Sequence, residues 1–202
     1  MRPSKLVACE TFPCTDVVHA GYVVPDVNMK PESVSIVMIS EAAPAGRADY
    51  YYAAGDPLFA RTTVQAFNDA GAKVDSIRDI LGLGVYLTTA VKCAKTGYGI
   101  KAGTVQECSL LLAKELSLFP NVQVIMLMGD VAIGALNHIA RRAGEGRVIP
   151  AGSTYKLRRD EYSNAGKRVF PSYLQAGPSF FVEKSKRKMI AEDIAAALRL
   201  VR

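Results

Sequence analysis

Short apolar runs alternate with longer amphipathic segments along this chain. The apolar runs have the length of strands, and we predict four core strands at about residues 34–40, 85–91, 122–127 and 167–170. Apolar residues recur every three to four positions in the segments between them, which is typical of helices packed on a sheet. We predict helices at about residues 57–70, 76–81, 104–118, 131–142 and 186–200. Strands that alternate with helices favour parallel pairing with right-handed crossovers. The pattern therefore predicts an α/β protein, a three-layer α/β/α sandwich around a central four-stranded parallel sheet.

Local signals refine this outline. Thr104 and Glu107 have the spacing of a capping box, which predicts that a helix begins there. Residues 147–157 read as an additional strand, and residues 41–57 as a long loop rich in Ala and Tyr. Residues 1–33 contain four prolines, so we predict an irregular N-terminal segment attached to a single domain that spans the chain.

Composition narrows the classes of function. The 202 residues carry a formal net charge of +6, which favours a polyanionic partner without naming it. No apolar run approaches the ~20 residues that cross a membrane, and Met1–Lys5 is not followed by an apolar signal stretch. We therefore expect a cytoplasmic protein, and we expect a monomer. In that compartment the four cysteines are free or metal-bound rather than paired in disulfides.

Polar residues stand where the predicted strands end. Glu41 follows the first strand, Thr89 ends the second, and Ser172 follows the fourth. Open α/β sheets bind their ligands at this carboxyl edge, so the three segments are candidates for an active site. The alternative for Glu41 is a loop carboxylate that accepts hydrogen bonds from neighbouring amides.

In this order the segments resemble the active-site segments of the uracil-DNA glycosylase superfamily, most closely its iron–sulfur, thermophile-type branch. The matching stretches are Ser40-Glu41-Ala42-Ala43-Pro44-Ala45-Gly46, Gly55-Asp56-Pro57-Leu58-Phe59, Val85-Tyr86-Leu87-Thr88-Thr89-Ala90-Val91-Lys92-Cys93, Met128-Gly129-Asp130-Val131-Ala132 and Phe170-Pro171-Ser172-Tyr173-Leu174. The resemblance implies the same α/β/α fold and a DNA repair activity that removes a damaged or deaminated base. It implies Glu41 and Asp49 as catalytic carboxylates.

The resemblance also implies a set of base-binding residues. Phe59 or Tyr52 would stack on the base, and Thr89 and Ser172 would line its pocket. Two residues depart from the family pattern, because Thr89 stands where the family has Asn and Phe170 where it has His. A hydroxyl does not reproduce the paired donor and acceptor of an amide. We therefore predict uracil excision that is weak, absent or altered in specificity.

The four cysteines are Cys9, Cys14, Cys93 and Cys108. The resembled branch binds a [4Fe-4S] cluster through four cysteines in this order, although its first pair is separated by two residues and here by four. Four thiolates suffice for such a cluster. Zinc at the same site is a second possibility. The alternative to a metal ligand is that Cys108 is an ordinary core residue, since it shares a helical face with Val105 and Leu112.

A cationic run near the last predicted helix consists of Lys184, Lys186, Arg187 and Lys188. We predict that it binds the phosphates of DNA; the alternative is a solvated charge run at a helix end. The leading hypothesis is a uracil-DNA glycosylase-like repair enzyme. The other hypotheses are a non-catalytic member of the fold that binds nucleic acid or a nucleobase, and a small-molecule nucleoside hydrolase.

Overall fold

The computed structural model describes residues 1–97 and 99–201, and a six-stranded sheet forms its centre. Along the chain the strands are β1 (Val17–Val18), β2 (Ile36–Ala43), β3 (Val85–Lys95), β4 (Val124–Met128), β5 (Tyr162–Asn164) and β6 (Lys167–Ser172). The α-helices of the described residues are α1 (Leu58–Asp69), α2 (Ile77–Gly82), α3 (Ala102–Leu116), α4 (Asp130–Arg142), α5 (Thr154–Leu157), α6 (Ser179–Val182) and α7 (Lys184–Arg199). None of these helices is long and apolar enough to cross a membrane.

The spatial order of the strands is β1-β3-β2-β4-β6-β5. The four inner strands pair in parallel, which confirms the predicted core sheet. The prediction of four strands is wrong in number, because β1 and β5 add one antiparallel strand at each edge. Both are only two or three residues long, and such short strands lack the periodic signal that marks a strand in a sequence.

Helices cover both faces of the sheet, and the alternation of side chains along β2 shows how. Val37 and Ile39 pack in one core with residues of α3 and α4. Ile36 and Met38 point the other way, into a second core with residues of α1, α2 and α7. A strand buried on both faces is expected in a parallel sheet whose crossovers are helices. The predicted three-layer α/β/α architecture is confirmed.

The capping box predicted at Thr104 is wrong. Helix α3 begins at Ala102, and the Thr104 hydroxyl donates to the carboxylate of Asp16. The same carboxylate accepts the Lys101 amide at 2.7 Å. Asp16 of the N-terminal segment thus accepts the hydrogen bond from the helix start that a residue of the helix itself would accept in a capping box. Because Asp16 lies far away in the chain, the sequence around the helix does not reveal it.

The strand predicted at residues 147–157 is also wrong. Residues 148 and 149 donate their amides to the side chain of Asn137 in α4, at 2.9 and 3.0 Å, rather than to a neighbouring strand. The segment ends in the short helix α5. The predicted loop 41–57 is shorter than expected, since β2 continues to Ala43 and Arg47–Asp49 forms a turn of 3-10 helix.

Candidate active site

The carboxyl ends of β2 and β3 lie side by side, and their polar residues are in register. Ser40 pairs with Thr89 across the two parallel strands, and both are fully buried. Side chains of paired residues in a parallel sheet point to the same face. Met38 and Leu87, two residues earlier, lie in the core with α7, so Ser40 and Thr89 face the α7 layer as well.

A tyrosine ring fills the crevice in front of these two residues. The hydroxyl of Tyr51 bonds to Ser40, which donates in turn to Oε1 of Gln175 at 3.2 Å. Nε2 of Gln175 donates back to the Tyr51 oxygen at 3.2 Å. The Ser40 hydroxyl has one proton and donates it to Gln175, so in the bond between the two hydroxyls Tyr51 is the donor. The three hydrogen bonds among Ser40, Tyr51 and Gln175 form a closed triangle. Burial raises the pKa of Tyr51, so this hydroxyl stays neutral.

The aromatic residues predicted to stack on a base pack against this tyrosine or against the sheet. The ring of Phe59 lies 5.3 Å from that of Tyr51, tilted by 56°. The hydroxyl of Tyr52 accepts the Leu87 amide at 3.0 Å and donates to the Leu87 carbonyl at 3.2 Å. Leu87 pairs with Met38 of β2 on one side, and Tyr52 satisfies its backbone groups on the other side, where β1 reaches only Ala94 and Lys95. Both predicted stacking residues thus lie beside Tyr51, with the ring of Phe59 at 5.3 Å and that of Tyr52 at 6.4 Å from its ring.

Thr89 has a buried hydroxyl without a hydrogen-bond partner among the described residues. Leaving such a group unpaired costs about 1–3 kcal/mol, so native structures rarely do so without a reason. The backbone carbonyl of Thr89 is satisfied, since it accepts Nζ of Lys92 at 2.6 Å. The hydroxyl at the predicted base-binding position therefore has unused hydrogen-bonding capacity.

Lys92 is the centre of a polar network beneath this position. It is fully buried and forms an ion pair with Glu115 of α3, which is also fully buried. Nζ donates to the Thr88 hydroxyl at 2.8 Å, and Glu115 accepts the hydroxyl of Tyr86 at 2.6 Å. The network joins β3 to α3 immediately before Cys93, and sequence analysis did not identify it.

Glu41 reaches the same edge but on the other face of β2. Its carboxylate lies 3.7 Å from Nζ of Lys95, and one-fifth of its side chain is exposed. Its side chain passes directly over Gly129, where a Cβ would lie 2.5 Å from Oε1 of Glu41. Gly129 has a φ of +103° and precedes α4, so the carboxylate lies next to a helix N-terminus, which favours a negative charge.

The second predicted carboxylate has a structural contact. Asp49 accepts the amide of Leu58 at 3.3 Å, and Leu58 is the first residue of α1. Asp49 therefore satisfies one of the amides that a helix start leaves unpaired. The half-buried position of Asp49 leaves part of the carboxylate accessible to solvent.

Ser172 ends β6 with its side chain turned toward α7. Its hydroxyl donates to Asp193 at 2.6 Å, and Arg158 donates to the same carboxylate at 2.7 Å. Burial nevertheless raises the pKa of Asp193. Phe170 lies two residues before the end of the strand, paired with Met126. The position where the family has His is therefore inside the sheet rather than at its edge.

Three of the four cysteines line one small cavity of about 230 Å³: Cys9, Cys14 and Cys108. Burial, and to a smaller extent the neighbouring thiols, raises the pKa of Cys93 to about 12. Burial raises the pKa of Cys108 to about 11. The thiols thus lie close enough for one thiolate to oppose another. No three or more His, Cys, Asp or Glu side chains in the described part of the chain have the arrangement that holds a single metal ion.

The cationic run is partly neutralised within the protein. Lys186 pairs with Glu183 at 2.8 Å, and Arg187 pairs with Asp69 of α1. Lys184 and Lys188 are exposed and form no ion pair with any residue that the structure describes. Directly before the run, α6 presents two exposed apolar side chains, Phe181 and Val182.

A groove lies beside this edge, and both Tyr51 and Tyr52 line it. It has a volume of about 1150 Å³ and lies between α1, α2 and residues 26–28. Of the predicted site residues in the described chain, it is lined by Tyr52 and not by Glu41, Phe59, Thr89 or Ser172. The edge of the sheet is therefore the better candidate for chemistry, although its crevice is closed by Tyr51.

Sequence analysis gave no separate role to two residues of the crevice, Tyr51 and Gln175, although both stand in or beside segments that it singled out. Tyr51 stands in a run of three tyrosines, and one-dimensional reasoning cannot tell which ring turns inward. Gln175 follows the segment 170–174 by one residue. An amide immediately beyond an edge segment is a usable signal, because a buried amide requires partners.

A model of the uracil DNA glycosylase superfamily matches residues 28–196. No curated protein matches the chain. The matched range includes all strands except β1 and all candidate residues except Cys9 and Cys14.

Proposed function

Because the chain belongs to the uracil DNA glycosylase superfamily, we propose that it is a DNA repair protein that hydrolyses the N-glycosidic bond of a damaged or deaminated base. The single observation that supports this most is the family match over residues 28–196, most of the chain. The placement of Glu41 and the crevice at one sheet edge agrees with it.

Glu41 is the catalytic carboxylate of this proposal. Base excision leaves positive charge on the sugar and requires an oriented water, and an ionised carboxylate serves both needs. The Lys95 ammonium lies 3.7 Å from the Glu41 carboxylate, and the exposed fifth of the Glu41 side chain admits water. Asp49 is the weaker candidate, since its carboxylate already holds the start of α1.

The DNA contact of this proposal is formed by the end of the run 184–188 and by α6. Lys184 and Lys188 are the members available for phosphates. Phe181 is 45% and Val182 78% exposed, and apolar side chains beside cations can enter a base step when a nucleotide is extruded. Lys186 and Arg187 hold the helix in place through Glu183 and Asp69.

We further propose that Cys9, Cys14, Cys93 and Cys108 hold a [4Fe-4S] cluster. A cluster separates its thiolates more widely than a single ion does, and a cavity of about 230 Å³ between three of the thiols agrees with that. A bound cluster would tie the N-terminal segment to β3 and α3. The visible absorbance and the iron and sulfide content of anaerobically purified protein test this; zinc or no metal would refute it.

The decisive experiment for the activity is an excision assay on duplexes that carry single uracil, hypoxanthine, xanthine or oxidised bases. We expect release of at least one deaminated base, abolished by Glu41→Gln. Glu161→Gln is the matched control, because that side chain is 90% exposed at the opposite side of β6. Release unaffected by Glu41→Gln would refute the assignment of the carboxylate.

A non-catalytic, base-binding member of the superfamily is the second candidate. One observation favours it: Phe170 is inside β6 and Ser172 is bonded to Asp193, so neither offers a donor to a departing base. Loss of one such donor typically lowers the rate ~10²–10³-fold. DNA binding without base release from any duplex would support this candidate over the enzyme.

A further inference from the structure

We propose that the segment around α5 carries a stacking platform for single-stranded nucleic acid, formed by Tyr155 and Arg159 with Lys156 beside them. A base of the strand stacks on the open face of the Tyr155 ring, and phosphates of the strand contact the cations. This platform lies outside the crevice and requires no excision. It extends the proposed function and rests on it only for the class of partner, a polynucleotide.

Tyr155 is an exposed aromatic side chain with one face already occupied. Half of the side chain is exposed. The guanidinium of Arg159 lies over the ring, 4.6 Å from its centroid, and donates to the ring hydroxyl at 2.7 Å. These two contacts hold the ring at the surface and leave its other face to a second flat group. Bases stack on such rings whatever their sequence, because every base has a π-face.

The charge around the ring favours a polyanion. Lys156 and Arg159 are exposed, and neither forms an ion pair with a residue in the ranges 1–97 and 99–201. The carboxylates at positions 160 and 161 have other partners, since they accept from Tyr162 of β5 at 3.3 Å and pair with Arg168 of β6 at 3.6 Å. The two cations beside the ring are therefore available for phosphates.

Arg158 anchors this segment on α7, close to the candidate active site. Its side chain is 12% exposed and donates to both oxygens of Asp193 at 3.1 and 2.7 Å, and to the Met189 carbonyl at 2.9 Å. The Asp193 carboxylate also accepts the hydroxyl of Ser172, which ends β6. The platform is therefore held beside the carboxyl end of β6. Lys188, which is exposed, directly precedes Met189, so the cationic run and the platform adjoin.

A single strand fits this surface better than a duplex. Within a duplex each base is already stacked on both faces, whereas an unpaired strand presents bases that can stack on a protein ring. From Lys184 to Glu192, which pairs with Arg158 at 3.0 Å, α7 rises by roughly 12 Å. That length corresponds to about four stacked nucleotides at ~3.4 Å each. The strand can thus contact the cationic run and the platform together.

Fluorescence anisotropy with labelled oligothymidine of about 15 nucleotides, and with a hairpin duplex, tests the platform. Stacking of one base corresponds to a loss of about fivefold or more in affinity on substitution by Ala. We therefore expect Tyr155→Ala to weaken single-strand binding at least fivefold and duplex binding less than twofold. Tyr155→Phe keeps the ring and should bind within twofold of wild type. Leu200→Ala is the matched control, because that side chain is 51% exposed at the far end of α7.

Two further measurements separate stacking from charge. Lys156→Ala should lower the slope of log affinity for the single strand against log salt by about 0.7, one phosphate contact, whereas Tyr155→Ala should leave the slope unchanged. The chain contains no Trp, so the emission of Tyr155→Trp reports on this position alone. Oligothymidine should quench that emission and should leave the emission of the equally exposed Leu200→Trp unchanged.

The outcomes distinguish this platform from the proposed enzyme. Equal weakening of single strand and duplex by Tyr155→Ala, or lower stability in urea with unchanged binding, overturns the platform and leaves Arg159 as a partner that only stabilises α5. Unquenched emission of Tyr155→Trp overturns it even where Tyr155→Ala fails to fold. Base release by wild type with normal single-strand binding by Tyr155→Ala overturns the platform alone. Binding that depends on Tyr155, in a protein that excises nothing, supports the platform and refutes the enzyme.

Discussion

Removing the Lys92 ammonium should cost more stability than any exposed charge. The perturbation is Lys92→Met, which has similar length and no charge. Nζ makes an ion pair with Glu115 and donates to the Thr88 hydroxyl and the Thr89 carbonyl, at 2.8 and 2.6 Å. After the substitution Glu115 has lost its counter-charge in a place where water does not reach it.

The magnitude follows from which group is left behind. Breaking a buried ion pair by removing one partner costs about 3–5 kcal/mol, because the remaining charge is unpaired. That is a large share of the ~5–15 kcal/mol by which domains are stable. For a chain of this size it lowers the Tm by roughly 6–20 °C. Lys92→Met/Glu115→Gln should recover much of the loss, since Gln still accepts from Tyr86 and carries no charge.

Urea unfolding followed by far-UV circular dichroism measures the effect. The matched control is Arg61→Met, which removes an ion pair to Asp56 at 3.4 Å whose side chains are 53% and 72% exposed. Exposed pairs contribute about 0–1 kcal/mol, so this control should unfold almost as wild type does. If Lys92→Met costs no more than the control, or if the double variant is no better than the single one, the reasoning about the buried pair is wrong.

Three further predictions concern binding, activity and pH. Lys184→Ala/Lys188→Ala should lower the slope of log affinity for DNA against log salt by about 2, one phosphate contact for each lysine, and filter binding at several salt concentrations measures it. Phe170→His should destabilise the protein without raising excision, because position 170 lies within β6 and faces the α7 layer; an increased rate in the duplex assay would contradict that placement. Burial raises the pKa of Asp193 above 3.8, so the folded state retains a proton that the unfolded chain releases. Stability should therefore fall as the pH rises from 3.8 through the raised pKa, and Asp193→Asn should remove that slope in urea titrations; an unchanged slope would refute it.

The central sheet could be predicted from the sequence because its strands carry a strong local signal. β2, β3, β4 and β6 are apolar over most of their length, and helices with an apolar face separate them. The elements that were missed or misplaced depend on distant partners. Residues 148 and 149 are apolar enough for a strand, but the side chain of Asn137 satisfies their amides instead.

The candidate site was predictable to the level of its edge. A polar residue at the end of a parallel strand lies at the ligand edge in an open α/β sheet, so the placement of Glu41, Thr89 and Ser172 could be predicted, and their roles stay predictions. What each side chain does there depends on contacts between segments. The Ser172 hydroxyl donates to Asp193 of α7, and the Tyr51 hydroxyl accepts from Gln175, which lies 124 positions away in the chain. No local pattern specifies such pairs.

The short strand β1 has a consequence for the order in which the protein folds. β1 pairs with Ala94 and Lys95 at the end of β3, and Asp16 beside it accepts from Thr104, 88 positions away. Pairing residues so far apart in the chain costs loop-closure entropy, so we expect the N-terminal segment to dock after β3 and α3 are in place. Cys9 and Cys14, which this segment carries, would then reach Cys108 only after the sheet is built.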